Sequence, residues 1–247
     1  MDDQFDESRH TIATACRVMA HRGLVQDILG HISLRIDEEH LLVRCRGPEE
    51  AGLAFTLPSD VRLVEQSSAR IVDDPSEAYT PPSELPLHLA VLRAQPKTKA
   101  VVHAHPQDVV AASLAALELV PCVGAYNIPA ARLAKAGIPT HPRSVLIRTE
   151  RLAAEMAASM GGAAAVVLTG HGLVTAGSSV ADAVLRALDV QTLARLTLAV
   201  NAVGKNTESI PDADFAELPD LGSGFNEITL WRHHVAALTA DGLALDQ

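Results

Sequence analysis

Too few cysteines, too little positive charge and no sufficiently long apolar run exclude several broad classes for this chain. Its three cysteines, Cys16, Cys45 and Cys122, are odd in number and far apart, and no Cys-x-x-Cys occurs. That pattern excludes a cysteine-built zinc finger and a disulfide framework, and fits a reducing compartment. Basic residues number 20 against 30 acidic ones, for a net charge of −10 with histidine neutral. Counterion-release binding to nucleic acid needs the opposite sign, so no nucleic-acid partner is expected. The acidic residues are dispersed rather than gathered in a tail, so the charge argues chiefly for solubility. The longest apolar stretches are shorter than a membrane span and carry Lys, Arg or Glu at intervals. The stretch Met1-Asp2-Asp3-Gln4-Phe5-Asp6 has neither the basic nor the apolar region of a secretory signal, so a cytoplasmic location away from membranes is expected. No linker-like Pro/Gly/Ser-rich break, internal repeat, P-loop or dinucleotide fingerprint is found. Residues 1–247 are therefore expected to form one domain with an irregular C-terminal segment from about position 204.

Apolar positions at helical spacing predict a helix over Glu7 to Arg22, with Gly23 as the stop. Gly30 to Ile36 alternates like a strand, and His40 to Gly47 reads as its hairpin partner. Val61 to Val64 and Ala69 to Val72 read as further short strands. A helix opens at Ser83-Glu84 and runs to about Ala94, with Pro86 in its first turn, where proline is tolerated. Ala100 to His103 and Ala164 to Leu168 read as buried strands. Helices are expected over Gln107 to Leu117, Ala130 to Ala136, Glu150 to Met160 and Val180 to Val203, and a last one over Glu227 to Leu238. The expected fold class is α/β, a mixed sheet with helices on both sides.

Chemistry concentrates in Val101-Val102-His103-Ala104-His105-Pro106. On a strand, residues i and i+2 share a face, so His103 and His105 can grip one cation from the same side. A third histidine closes another apolar run in Leu168-Thr169-Gly170-His171-Gly172. Three neutral imidazoles with an open position suit a catalytic divalent metal. Zinc, manganese, iron and cobalt are all compatible, since imidazole does not choose among them. Other positions read two ways. Glu84 is either a carboxylate favoured by a helix start or, if that helix faces the metal, a proton carrier beside a Lewis acid. Arg44 and Arg46 share one strand face, either solvated or forming a fork for a carboxylate. Gly30, Gly47, Gly170 and Gly172 suit turns, and His88 suits helix packing better than ligation. His233 and His234 read as exposed helix residues that could close a site.

These stretches together resemble the class II aldolase/adducin family. Pro82-Ser83-Glu84-Leu85-Pro86-Leu87-His88 through His105-Pro106 resembles its serine–glutamate helix and His-x-His strand. Leu168-Thr169-Gly170-His171-Gly172 with Gly177 resembles its third-histidine motif, and Gly30-His31-Ile32-Ser33 its glycine–asparagine–x–serine turn, with His31 where asparagine is usual. The resemblance covers about Glu7 to Val203. It implies an α/β/α sandwich around a mixed, largely antiparallel sheet, and a homotetramer with sites between subunits. It also implies one divalent metal ion per subunit (Mn, Zn, Co or Fe) on His103, His105 and His171, with Glu84 as acid/base or, without substrate, a fourth ligand.

Departures from the family pattern bear on the reaction. Where its aldolases carry a threonine–proline–serine–glycine turn for substrate phosphate, this chain has Arg44-Cys45-Arg46-Gly47, and of their double serine only Ser83 remains. The phosphate cradle is degraded and an arginine gained, which resembles the family's decarboxylases of hydroxy-pyridine or dihydroxy-phthalate acids. The expected function is therefore metal-dependent decarboxylation of an aromatic or heteroaromatic acid with a hydroxyl ortho to the leaving carboxylate. In that reading protonated Glu84 delivers a proton to the ring. Arg46 with Gly47 holds a second carboxylate, and Ser83, Gly30, His31, His233 and His234 complete the small-molecule site. A class II aldolase or epimerase, and a non-catalytic adducin-like module, are the alternatives.

Overall fold

The computed structural model describes residues 5–222 and 224–245. In chain order the elements are α1 (Asp6–His21), β1 (His31–Arg35), β2 (His40–Arg44), β3 (Val61–Glu65), α2 (Leu85–Ala94), β4 (Ala100–Ala104), α3 (Gln107–Leu114), α4 (Ile128–Ala136), β5 (Thr140–His141), α5 (Glu150–Met160), β6 (Ala165–Leu168), β7 (Gly172–Gly177), α6 (Val180–Ala202) and α7 (Asp212–Ala216). A π-helical stretch, Gly224–Leu230, then runs into α8 (Trp231–Ala240). The strands form one seven-stranded sheet in the order β3-β2-β1-β4-β7-β6-β5. Every pairing is antiparallel except β5 with β6.

Side chains alternate across this sheet and create two cores. Leu41, Val43, Val101, Val166 and Val174 face α2 and α5. Ile32, Leu42, Val102, Val167 and Leu173 face α1, α3, α4 and α6. The result is the α/β/α sandwich that was expected. No helix among the described residues is long and apolar enough to cross a membrane.

Several boundaries differ from the sequence reading for local reasons. Ala69 to Val72 is not a strand: Ala69 has φ +58°, which breaks an extended run, and only an isolated bridge joins Val64 to Ile71. Ala116, at φ +53°, likewise lies beyond the end of α3 at Leu114. The segment after position 204 is not wholly irregular, since it contains α7, and helical winding begins at Gly224 rather than Glu227. The main omission was β7, a central strand whose Gly172 and Gly177 ends look like turns in the sequence.

Candidate active site

Strand register brings the chemistry to the centre of the sheet. In the antiparallel β1–β4 ladder, His31 pairs with His103 and Ser33 with Val101. His31 and Ser33 therefore share the face that presents His103. Over that face lies α2, with Glu84 at its N-cap and His88 one turn on, both buried. His171 arrives from the β6–β7 hairpin, where Gly170 takes φ +62°. At Gly172 an added Cβ would strike the Ala104 carbonyl and lie 2.8 Å from the His105 ring. Only glycine lets this hairpin approach the end of β4, and that approach sets His171 against His105, with ring centroids 5.0 Å apart. Gly30 has a similar task, with φ +86° and a Cβ direction blocked by Val25 and the His103 carbonyl.

One ligand atom each from Glu84, His103, His105 and His171 lies within 4.8 Å of the others. Two donors on opposite sides of a cation, each about 2 Å from it, stand about 4 Å apart, so small side-chain adjustments close the set on one ion. Glu84 Oε2 is 3.3 Å from His103 Nε2 and 3.7 Å from His171 Nε2. Its Oε1 accepts the Ile147 N–H at 2.7 Å. The backbone carbonyl of Leu173 lies 2.9 Å from His103 Nδ1 and takes that N–H, turning the Nε2 lone pair toward the cluster. His103 Nε2 and His105 Nε2 are 2.8 Å apart, while His105 Nδ1 and His171 Nδ1 are buried without a partner among the described residues.

This donor set is short of positive charge at its centre. Burial, then the neighbouring His103 and His171, push His105 down to about 3, so it is a neutral donor at ordinary pH. Burial pushes the Glu84 carboxyl up, but the adjacent His103 and His171 imidazoles and the hydrogen bond from the Ile147 amide outweigh it and lower it from the usual carboxylate range. Converging lone pairs and a carboxylate need a cation between them; a single proton can join only two of the four donors, whereas a divalent ion satisfies all. The chemistry of the donors therefore fits a divalent metal. The same environment favours the carboxylate form of Glu84, against the expectation that it enters protonated.

The other sequence-predicted residues divide around this cluster. His31 joins it, with Nε2 3.9 Å from Glu84 Oε2. Ser83 is exposed beside Glu84. Arg46 is exposed and makes no side-chain hydrogen bond or ion pair among the described residues. Its backbone bridges to Thr80, four positions before Glu84. Gly47 lies under the Tyr79 ring, with room for no Cβ. The solvated reading fails for Arg44, which is 4% exposed and grips both carboxylate oxygens of Glu50 at 2.7 and 2.6 Å. His233 and His234 do not meet the cluster within the chain. Their helix α8 packs on α1, and His234 lines a separate cavity of about 920 Å³ with Arg22, Asp189 and Gln191. Burial and then Arg22 push His234 down to about 4. The sequence reading missed the contributions of His88, Ser33 and the Ile147 amide. The local signals were the i, i+4 spacing of Glu84 and His88 on one helix face and the i, i+2 spacing of His31 and Ser33 on one strand face.

The sequence profile of the "Class II Aldolase and Adducin N-terminal domain" matches residues 10–198. A 3,4-dihydroxyphthalate decarboxylase of Terrabacter sp. (strain DBF63) is 52% identical over 238 residues, covering 96% of this chain and 100% of the relative. A 3,4-dihydroxyphthalate decarboxylase of Arthrobacter keyseri is 55% identical over 234 residues, covering 94% of each chain. Among solved structures, an aldolase II superfamily protein from Pseudomonas syringae superposes with a TM-score of 0.80 at 22% identity, over 99% of this chain and 96% of that one.

Proposed function

The chain belongs to the class II aldolase/adducin family, and from that premise we propose that it is a carboxy-lyase acting on 3,4-dihydroxyphthalate or a close ortho-hydroxy aromatic dicarboxylate. The observation that carries this reading is identity above one half to two decarboxylases over nearly the full length of both partners. Residues 1–247 act as one domain in which His103 on β4, His105 just past its end and His171 in the β6–β7 turn surround the cation, with Glu84 beside them. Manganese, zinc, cobalt and iron(II) all suit three imidazoles and a carboxylate. A homotetramer fits the exposed apolar side chains Ile28, Leu29, Phe55 and Leu57, on loops that meet where Gly52 abuts Asp27. Within that assembly exposed His233 would serve a neighbouring subunit's site, whereas His234 is buried in its own subunit.

When bound, the cation supplies a Lewis acid that draws negative charge onto the substrate oxygen ortho to the leaving carboxylate. Glu84, held as a carboxylate, takes the proton of that ortho hydroxyl. It then gives the proton to the ring carbon bearing the carboxylate, forming a dienone. The bond to the carboxylate carbon breaks, its electron pair restores the aromatic ring, and carbon dioxide leaves. The ring oxygen recovers a proton from solvent, so one proton is consumed for each carbon dioxide released. The buried cluster keeps water from competing for the proton on Glu84. Ser83 and His31 orient the substrate oxygens, and Arg46 with Gly47 stands at the rim for the retained carboxylate.

A substrate panel tests this assignment. Carbon dioxide release from 3,4-dihydroxyphthalate, with 3,4-dihydroxybenzoate as the aromatic product, is the expected result. Aldehyde formation from a ketose 1-phosphate, without decarboxylation, would instead establish the aldolase reading. Arg46→Ser is expected to raise KM for the dicarboxylate about tenfold with kcat little changed, as loss of one charge-assisted contact at the rim implies. Unchanged steady-state kinetics would return Arg46 to the solvated surface.

A further inference from the structure

Behind the metal cluster a buried chain of polar side chains runs to His31, and two of its members, Ser33 and His88, are not used by the reaction scheme. Ser33 Oγ is 2.7 Å from His88 Nδ1, and His88 Nε2 is 2.7 Å from His31 Nδ1. Ser33 and His88 are both fully buried, and His31 is 7% exposed. The far nitrogen of His31, Nε2, faces Glu84 Oε2 at 3.9 Å. That separation is too long for a hydrogen bond, so whatever His31 Nε2 carries is available to a ligand.

Two proton arrangements along this chain can be compared. In one, the Ser33 hydroxyl donates to His88 Nδ1, the His88 Nε2–H donates to His31 Nδ1, and His31 presents an Nε2–H. In the other, every bond is reversed. Then the Ser33 hydroxyl proton has no acceptor among the described residues, since its side chain meets only His88. His31 would also turn a lone pair toward the Glu84 carboxylate, which is repulsive. The first arrangement gives the Ser33 hydroxyl and the His88 N–H each an acceptor and turns a donor toward the carboxylate, leaving only the His31 Nε2–H for a ligand. Buried polar groups left unpaired are costly.

We propose that Ser33 and His88 are positioning residues that lock His31 as its Nε2–H tautomer, presenting a fixed hydrogen-bond donor to the anionic oxygen of a substrate bound beside Glu84. The chain exists because His31 and Ser33 alternate onto one face of β1 while His88 descends from α2 above it. A donor held rigidly by burial needs no reorganisation when negative charge develops on the substrate oxygen. The identity of that oxygen rests on the decarboxylase reading; the tautomer does not.

The test uses the full-length zinc-loaded protein, with long-range 1H–15N spectra of its histidines and steady-state kinetics of the manganese-loaded form. His31 is expected to show a protonated Nε2 and an unprotonated Nδ1. His88→Met removes the donor to His31 and is expected to mix the tautomers and lower kcat about tenfold or more, with metal content retained. Complete loss of such a donor costs about 10²–10³ in kcat, so misdirecting it costs less. His88→Gln restores an N–H that needs no serine behind it and is expected to recover most of the loss. Ser33→Ala, a small deletion in a buried strand, is expected to mix the tautomers as His88→Met does. An Nδ1–H tautomer in the parent protein, or His88→Met with the parent's spectrum and kcat, would overturn the proposal. Because the spectra need no substrate, failure of the decarboxylase assignment is distinguishable from failure of this one.

Discussion

His103→Ala is expected to abolish both metal retention and turnover. Its Nε2 lies between Glu84 and His105, and its Nδ1–H is spent on the Leu173 carbonyl, so no other orientation is available to the ring. Alanine leaves a buried carboxylate facing two imidazoles, with a gap where the strongest-oriented donor stood. Disturbing a group that merely orients a metal ligand costs about 10–100-fold in metal affinity, and losing a ligand costs more. His171→Ala is expected to act similarly, although His171 enters from the β6–β7 hairpin and its Nδ1 has no partner among the described residues to hold it. Metal analysis of the purified variants, alongside carbon dioxide release, checks both. Full turnover in a variant shown to hold no metal would end the metal account.

Glu84→Gln is expected to separate binding from chemistry. The amide is nearly isosteric, so its oxygen can still accept the Ile147 N–H that anchors Oε1 at 2.7 Å, and the three imidazoles remain. Metal content is therefore expected to stay near one ion per subunit. What the amide cannot do is accept the proton of the substrate hydroxyl and pass it to the ring. General acid–base groups contribute about 10²–10⁴-fold, and a fall in kcat of that size is the expected result. Substrate binding should weaken little, giving a loss in kcat rather than a rise in KM. Near-normal turnover with metal in place would remove Glu84 as the proton carrier.

The parts of the site carried by local spacing were legible in the sequence. His103 lies on β4 and His105 one residue past its end, and the i, i+2 spacing carried over from the strand already suggested that they share a side. Glu84 stands at a helix start, and His171 lies between glycines at the end of an apolar run; each is a signal within a few residues. What escaped depends on partners distant in the chain. His88 reads as one more side chain on the face of Leu85, Leu89 and Leu92, because its hydrogen-bond partners are 57 and 55 positions away. Arg44 reads as half of a solvated pair because alternation shows only which face a side chain takes, not that Glu50 folds back to meet it. Strand β7 was hidden by its own glycines. Gly172 reads as a turn residue, yet it is needed because the Ala104 carbonyl crowds its position across the sheet. Long-range packing chose the residue there, and local propensity pointed the other way. His233 and His234 were drawn toward the site by residue type, but the packing of α8 on α1 sends them elsewhere.

The most direct test of the central claim is carbon dioxide release from 3,4-dihydroxyphthalate by chelator-stripped protein, before and after titration with manganese(II). The account predicts no release from the stripped protein and recovery that saturates at one metal ion per chain, with nothing recovered by the His103→Ala variant. Release at the full rate from protein verified to be free of metal, or recovery that continues well beyond one ion per chain, would contradict it.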